Sequence, residues 1–189
     1  MTMKVVFERE TLRLLGAQIV GVDGVDKRID VLATAIQAGI RADKLKDLDL
    51  AYAPPYSSAK DPVNMAGFMI ENVDSGILKQ WHWEQEPDLP RDGSVQLLDV
   101  RTVGEYGRGH IDGFMNIPID DLRARLGELD VAKPVYVICQ SGLRSYIACR
   151  ILAQHGFDCY NFSGGYRFFA AVTKDRRGSD NVMPCGLEK

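Results

Sequence analysis

The sequence predicts two units: a small α+β unit first, then an α/β domain built on a parallel sheet. Three observations carry this reading. Before residue 80, two β-branched runs are followed by helical periodicity, whereas from Val95 onward short apolar strands alternate with helices. Between them, Glu84-Gln-Glu-Pro-Asp-Leu-Pro-Arg-Asp-Gly93 is charged, holds two prolines and offers little to bury. The border is expected there, with residues 1–80, a linker over 81–93 and residues 94–189 as the parts. Finally, 189 residues that are 46% hydrophobic and 26% charged make a globular composition, long enough for one large core or two small ones.

Residues 4–8 and 12–21 flank the polar Arg9-Glu10-Thr11 and read as a hairpin. Asp26 is placed to cap a helix in which Ile29, Leu32, Ala33 and Ile36 share a face, ending at Gly39. A shorter helix is expected over 43–48. Residues 50–62, Leu-Ala-Tyr-Ala-Pro-Pro-Tyr-Ser-Ser-Ala-Lys-Asp-Pro, cannot be regular, because each proline removes a donor and pushes the residue before it out of the α region. Pro62 then suits the first turn of a helix over 63–73, behind Asp61. Past the border the expected order is strand 95–100, short helix 103–106, strand 115–117, helix 120–129, strand 135–138, helix 143–155, strand 158–162 and a helix after Gly164. The wholly apolar Val-Tyr-Val-Ile at 135–138 marks a strand covered on both faces, as in a parallel sheet.

No apolar run approaches the roughly 18 to 20 residues that span a bilayer, and charges occupy the N-terminus where a signal peptide would be apolar. The expectation is a soluble, cytoplasmic protein with no membrane partner. A net charge of -3 with both signs interspersed leaves nothing to neutralise a phosphate backbone, so nucleic acid is not an expected partner. The cysteines, Cys139, Cys149, Cys159 and Cys185, lack paired CxxC spacing and are too sparse for a disulfide scaffold, so no metal is expected and each thiol is judged singly.

Cys139-Gln-Ser-Gly-Leu-Arg-Ser145 lies directly after a buried strand and directly before an amphipathic helix. In an open α/β sheet that position faces the ligand crevice, where the free N–H groups of the following helix point with the positive end of its dipole. A thiol there is expected to have a depressed pKa. Gly142 permits a positive φ, so the backbone can curl into an anion nest. Arg144 adds a charge, and Ser145 is placed to cap the helix. The loop suits one sulfur anion, or a small anion carried by that sulfur. Asp99 and Arg101, with Glu105 near, read as a structural ion pair, and His110 as a turn residue bonded to backbone. Cys149 and Cys159 read as core residues and Cys185 as a surface thiol.

Leu98-Asp-Val-Arg-Thr-Val-Gly-Glu105, Gly109-His-Ile-Asp-Gly-Phe-Met-Asn-Ile-Pro118, the Cys139 loop and Gly164-Gly165 together resemble the rhodanese-like domain in order and spacing. The resemblance implies a sulfurtransferase in which Cys139 is the catalytic nucleophile and carries a persulfide, cradled by Gln140, Ser141, Gly142, Leu143, Arg144 and Ser145. It implies small sulfur donors: thiosulfate, polysulfide or coenzyme A persulfide. Tyr166, Phe168 and Phe169 stand where that family often has tryptophan. Cysteine phosphatases and arsenate reductases carry a longer loop between cysteine and arginine, which makes them the less fitting alternative.

Gly16-Ala-Gln-Ile-Val-Gly21, Asp26-Lys-Arg-Ile-Asp30 and the aromatic, proline-rich loop resemble the dimerisation domain of pyridine-nucleotide flavoprotein disulfide reductases. The group most alike is the coenzyme A disulfide or persulfide reductases that end in a rhodanese domain. This implies a homodimer in which Tyr52, with Tyr56 beside it, reaches toward the partner's active site. It also implies that the chain is the C-terminal part of a longer enzyme. That parent would hold FAD and NAD(P)H, with coenzyme A a further candidate, whereas this chain encodes no glycine fingerprint for a dinucleotide and is expected to hold no cofactor. A dimerisation and docking module without catalysis of its own is the rival reading.

Overall fold

A computed structural model describes the backbone of residues 1–178 and the side chains of residues 1–174. The chain divides into two compact units, the first over Met1–Ile77 and the second from Leu78 onward.

In the first unit, β1 (Thr2–Phe7) pairs antiparallel with β2 (Leu14–Val20), with a register shift between Val6 and Phe7. Along β1 the side chains alternate between half-buried and exposed, as a ribbon covered on one face requires. Helix α1 (Val25–Gln37) follows, then a 3-10 turn (Ala42–Asp47) where a short helix was expected, then α2 (Pro62–Asp74). Asp26 does not cap α1. Gly24 occupies the cap position in a left-handed conformation, and Asp26 lies inside the first turn. The buried face is also rotated from the expected one, with Arg28, Leu32 and Ala35 inward and Ala33 exposed.

Arg28 explains that rotation. Its guanidinium reaches Asp61, with Nε 3.0 Å and Nη2 2.8 Å from Oδ2, in a pair almost closed to water. Asp61 also caps α2 by accepting from the Val63 N–H at 3.0 Å, and Asn64 completes a capping box by accepting from the Asp61 N–H. Asn64 further donates to the carbonyls of Leu45 and Leu48. These bonds fix both ends of irregular residues 49–60 while Leu14, Leu32, Leu45, Val63 and Ile70 form the core.

The second unit is a five-stranded sheet in the order β3 (Gln80–Trp81), β7 (Cys159–Phe162), β6 (Val135–Ile138), β4 (Gln96–Asp99), β5 (Met115–Asn116), with every pairing parallel. Successive residues feed opposite faces: Val135 and Val137 join a core with α4 (Leu143–Gln154), while Tyr136 and Ile138 face Trp81, Phe114, Phe162 and the start of α5 (Gly165–Gly178).

Two expectations need correction here. The stretch 81–93 does not connect two bodies. Trp81 is a fully buried strand residue, Leu89 is buried in the same core, and Trp83–Asp88 form a 3-10 turn between them, so the second unit already begins at Leu78. Residues 120–129 do not make an α-helix. Their backbone bonds run mostly from residue i to i−3, as in Ala124 to Asp121 and Glu128 to Arg125, and regular structure is confined to a 3-10 turn at Leu126–Glu128. Leu122 and Leu129 are buried and Leu126 packs against the same core, so the stretch is anchored from an irregular backbone, and Gly127 weakens a helix there. Among the described residues no helix is long and apolar enough to cross a membrane, and no cluster of metal-ligating side chains occurs.

Candidate active site

Cys139 follows the buried strand β6, and α4 opens at Leu143. Gly142 occupies the helix cap with φ at 106°, a backbone state that any side chain would strain. The turn brings the Gly142 N–H to 3.1 Å from Cys139 Sγ, and the first turn of α4 brings the Ser145 hydroxyl to 3.2 Å from the same sulfur. Cys139 is 1% exposed. Two donors, one from the backbone and one from a side chain, thus converge on one covered sulfur at a helix N-terminus. Ser145 is not the cap. Its single proton has two acceptors, the sulfur and the Gly142 carbonyl at 3.1 Å, and a thiolate is the stronger of them.

The opposite edge of the loop is held by α5. The Tyr166 N–H donates to the Cys139 carbonyl at 2.7 Å and the Arg167 N–H to the Gln140 carbonyl at 3.1 Å, so the start of one helix anchors the cap of another. Gly165 makes this approach possible, since a Cβ there would lie 2.5 Å from the Ser141 nitrogen. Of the remaining cradle residues, Gln140 is half-buried, while Ser141 and Leu143 are exposed on the rim.

Arg144 does not stand as a free charge. It forms a two-pronged pair with Glu105, each nitrogen 2.7 Å from a carboxylate oxygen. Those bonds are the main reason that the Glu105 carboxyl is lowered to about 2, with donation from Thr102 adding to them. The same pair raises Arg144. Glu105 was expected beside Asp99 and Arg101; the missed signal is Thr102-Val-Gly-Glu105, a capping box that aims the carboxylate at the start of α3 (Val103–Gly107).

Asp99 and Arg101 do form the expected ion pair, fully buried, with Nη2 to Oδ2 at 2.7 Å. Arg101 also donates to the Gly109 carbonyl at 2.8 Å and to Gln140 Oε1 at 3.3 Å, and the Tyr166 ring lies 3.9 Å from its guanidinium. Arg101, Glu105, Arg108, Gly109, Gln140 and Tyr166 line a cleft of about 250 Å³. His110 has Nδ1 3.2 Å from the Tyr106 carbonyl and stacks on the Tyr106 ring, as a turn residue would. Cys149 and Cys159 are buried in the sheet core, where contact with Cys159 together with burial pushes the Cys149 thiol up. Cys185 lies outside the described residues. Tyr52 and Tyr56, in the first unit, are 51% and 82% exposed on the proline-rich loop.

Fold and site define a parallel α/β domain that presents one thiol at a helix N-terminus inside a glycine-closed loop. Residues 85–171 match the Rhodanese-like domain, and the chain is 36% identical over 74 residues to the thiosulfate sulfurtransferase GlpE of Shewanella oneidensis, covering 39% of this chain and 73% of that protein. The chain therefore belongs to the rhodanese-like family. Residues 1–62 match the pyridine nucleotide-disulphide oxidoreductase dimerisation domain. A coenzyme A disulfide reductase of Staphylococcus haemolyticus is 48% identical over 71 residues, 38% of this chain and 16% of that one. Both units are found together in two solved structures. Reduced Bacillus anthracis CoADR-RHD is 44% identical with a TM-score of 0.87 over 92% of this chain, and a NAD-dependent persulfide reductase from A. fulgidus is 41% identical with a TM-score of 0.74 over 86%. This chain spans 31% and 29% of those two proteins.

Proposed function

We propose that the second unit transfers sulfane sulfur through a persulfide on Cys139. The Cys139 thiolate attacks the outer sulfur of a donor such as thiosulfate. The new bond is Sγ–S, the donor's S–S bond breaks, and the leaving group, sulfite for thiosulfate, departs with the electron pair. The terminal sulfur of the persulfide then carries the negative charge until an acceptor thiolate attacks it and returns Cys139 as thiolate. No external oxidant or reductant is required for either half. The observation that carries this reading is the convergence of the Gly142 N–H and the Ser145 hydroxyl on one buried sulfur. Gln140, Ser141 and Leu143 are the loop residues a donor meets first, while Arg144, its charge paired with Glu105, braces the loop from the α3 side.

In the same reading the first unit makes the chain a homodimer, supported by its match to a dimerisation domain. Met65 and Met69, one turn apart on α2, are half-exposed, and Tyr52 and Tyr56 stand out of the loop, all available to a second copy. We place FAD, NAD(P)H and coenzyme A with a longer disulfide or persulfide reductase of which this chain would form part. The described residues form no G-x-G-x-x-G turn at a parallel strand–helix junction, so they do not fit a dinucleotide and no step here runs through one.

The test is transfer in two stages. The protein is incubated with thiosulfate, freed of excess donor, then mixed with coenzyme A, and the coenzyme A persulfide formed is counted per protein. We expect close to one equivalent from the native chain and none from Cys139→Ala. Equal transfer by the alanine variant would overturn the reading.

A further inference from the structure

The cleft beside the cysteine loop has an uneven charge. Arg101 is neutralised by the buried carboxylate of Asp99, which it meets at 2.7 Å, and Glu105 by Arg144, also at 2.7 Å. Gln140 contributes an amide and Tyr166 a phenol, hydrogen-bonding groups that add no ion pair to the wall. What remains is Arg108, exposed on the rim at the end of α3, whose guanidinium makes no hydrogen bond or ion pair to any described residue. The cleft also adjoins the cysteine loop. Gln140 in its wall is the residue after Cys139, and Tyr166 in its wall donates to the Cys139 carbonyl at 2.7 Å. At about 250 Å³ it is smaller than pockets that enclose drug-sized ligands, so it takes a small anion or one charged end of a larger molecule.

We infer that Arg108 is the residue that selects anionic sulfur donors, by pairing its guanidinium with an oxyanion group of the donor while the donor's outer sulfur reaches Cys139. The inference rests on the sulfur-transfer reading and adds to it the class of donor and the residue that recognises it. A guanidinium suits the task because its planar fork meets two oxygens of a sulfonate or a phosphate at once. Thiosulfate offers the first kind of group and coenzyme A persulfide the second. Because Arg108 is exposed and remote from the cysteine loop's own hydrogen bonds, its loss should raise the donor concentration needed and leave the bond-making step alone.

The experiment compares native protein with Arg108→Ala, Arg108→Glu and Arg108→Lys, and measures, as a function of concentration, persulfide loading of Cys139 by thiosulfate and coenzyme A persulfide and, as the uncharged control, modification of Cys139 by a dialkyl trisulfide, in which the thiolate bonds to the trisulfide chain and an alkyl thiolate or alkyl persulfide leaves. For at least one anionic donor we expect KM to rise roughly tenfold in Arg108→Ala, further in Arg108→Glu, and to recover in part in Arg108→Lys. The same ratio for the trisulfide should stay within about twofold. The anionic donor that responds identifies whether a sulfonate or a phosphate is read. An equal rise for charged and uncharged donors, or no rise for either anion, overturns the inference. A separate arm keeps it apart from the reading beneath it: thiosulfate binding to Cys139→Ser, followed by calorimetry, should weaken about tenfold when Arg108→Ala is added. Arg108-dependent binding in Cys139→Ser, together with a native chain whose Cys139 takes up sulfur from no donor, would sink the transfer reading and spare the anion site. Binding indifferent to Arg108 would sink the site.

Discussion

Glu105→Gln tests how the charge beside the sulfur is held. The substitution keeps the shape of the side chain and an acceptor for Thr102, but removes the carboxylate that meets Arg144 through two contacts of 2.7 Å. A carboxyl that folding lowers from 4.5 to about 2 stabilises the native state at pH above the unfolded value, and that gain is lost as pH falls through the folded one. The whole shift would correspond to roughly 3 kcal/mol. With the Glu105 and Arg144 side chains 21% and 30% exposed, water screens the pair and about 1–2 kcal/mol is the better figure. At pH 7 the variant should melt about 3–8 °C below the native chain. The gap should shrink as pH falls from 4.5 toward 2, to roughly two fifths of its neutral size by pH 3, because the unfolded carboxyl is by then almost wholly protonated while the native one remains mostly ionised. Melting curves followed by circular dichroism across that range provide the assay. A gap that is the same at pH 7 and pH 3, or absent at pH 7, would refute the reasoning.

Other perturbations probe the remaining parts. Ser145→Ala removes one of two donors on Cys139 Sγ and leaves the Gly142 carbonyl bonded by the Tyr146 N–H, so sulfur loading should slow about tenfold with a melting temperature little changed; an unaltered loading rate would remove the hydroxyl from the mechanism. Gly165→Ala forces a Cβ onto the Cys139 loop at 2.5 Å from the Ser141 nitrogen and strains a φ of 68°, and should cost at least about 2 kcal/mol by urea unfolding together with most of the loading activity. Met65→Glu with Met69→Glu alters two half-exposed side chains and should convert a dimer to a monomer in light scattering without unfolding the first unit; a native chain that is monomeric throughout a dilution series would contradict the dimer.

The cysteine loop was legible because its signals are contiguous. An apolar strand, a nucleophile, a glycine that must take positive φ and a helical pattern all fall within residues 135–155. Its supports were less visible because they come from far along the chain: Glu105 lies 39 residues from Arg144, and the role of Gly165 exists only once α5 is set against the loop. The linker expected over 81–93 misled for a related reason. Its charged composition conceals Trp81 and Leu89, two buried side chains that tie the whole stretch to the sheet, and a strand of two residues is too short to show a period. In the first unit the helix is plain from its periodicity, yet its inward face is not, because that face carries a buried arginine, Arg28, whose partner Asp61 lies 33 residues on.

The central claim is that Cys139 alone accepts the sulfur. Its most direct test is mass spectrometry of the native chain and of Cys139→Ser after exposure to thiosulfate, polysulfide and coenzyme A persulfide in turn, with peptide mapping of any addition. The account predicts a gain of one sulfur atom on Cys139 from at least one donor, removable by a thiol, and no gain in the serine variant. Sulfur found on Cys149 or Cys159 instead, or added equally to the serine variant, would contradict it.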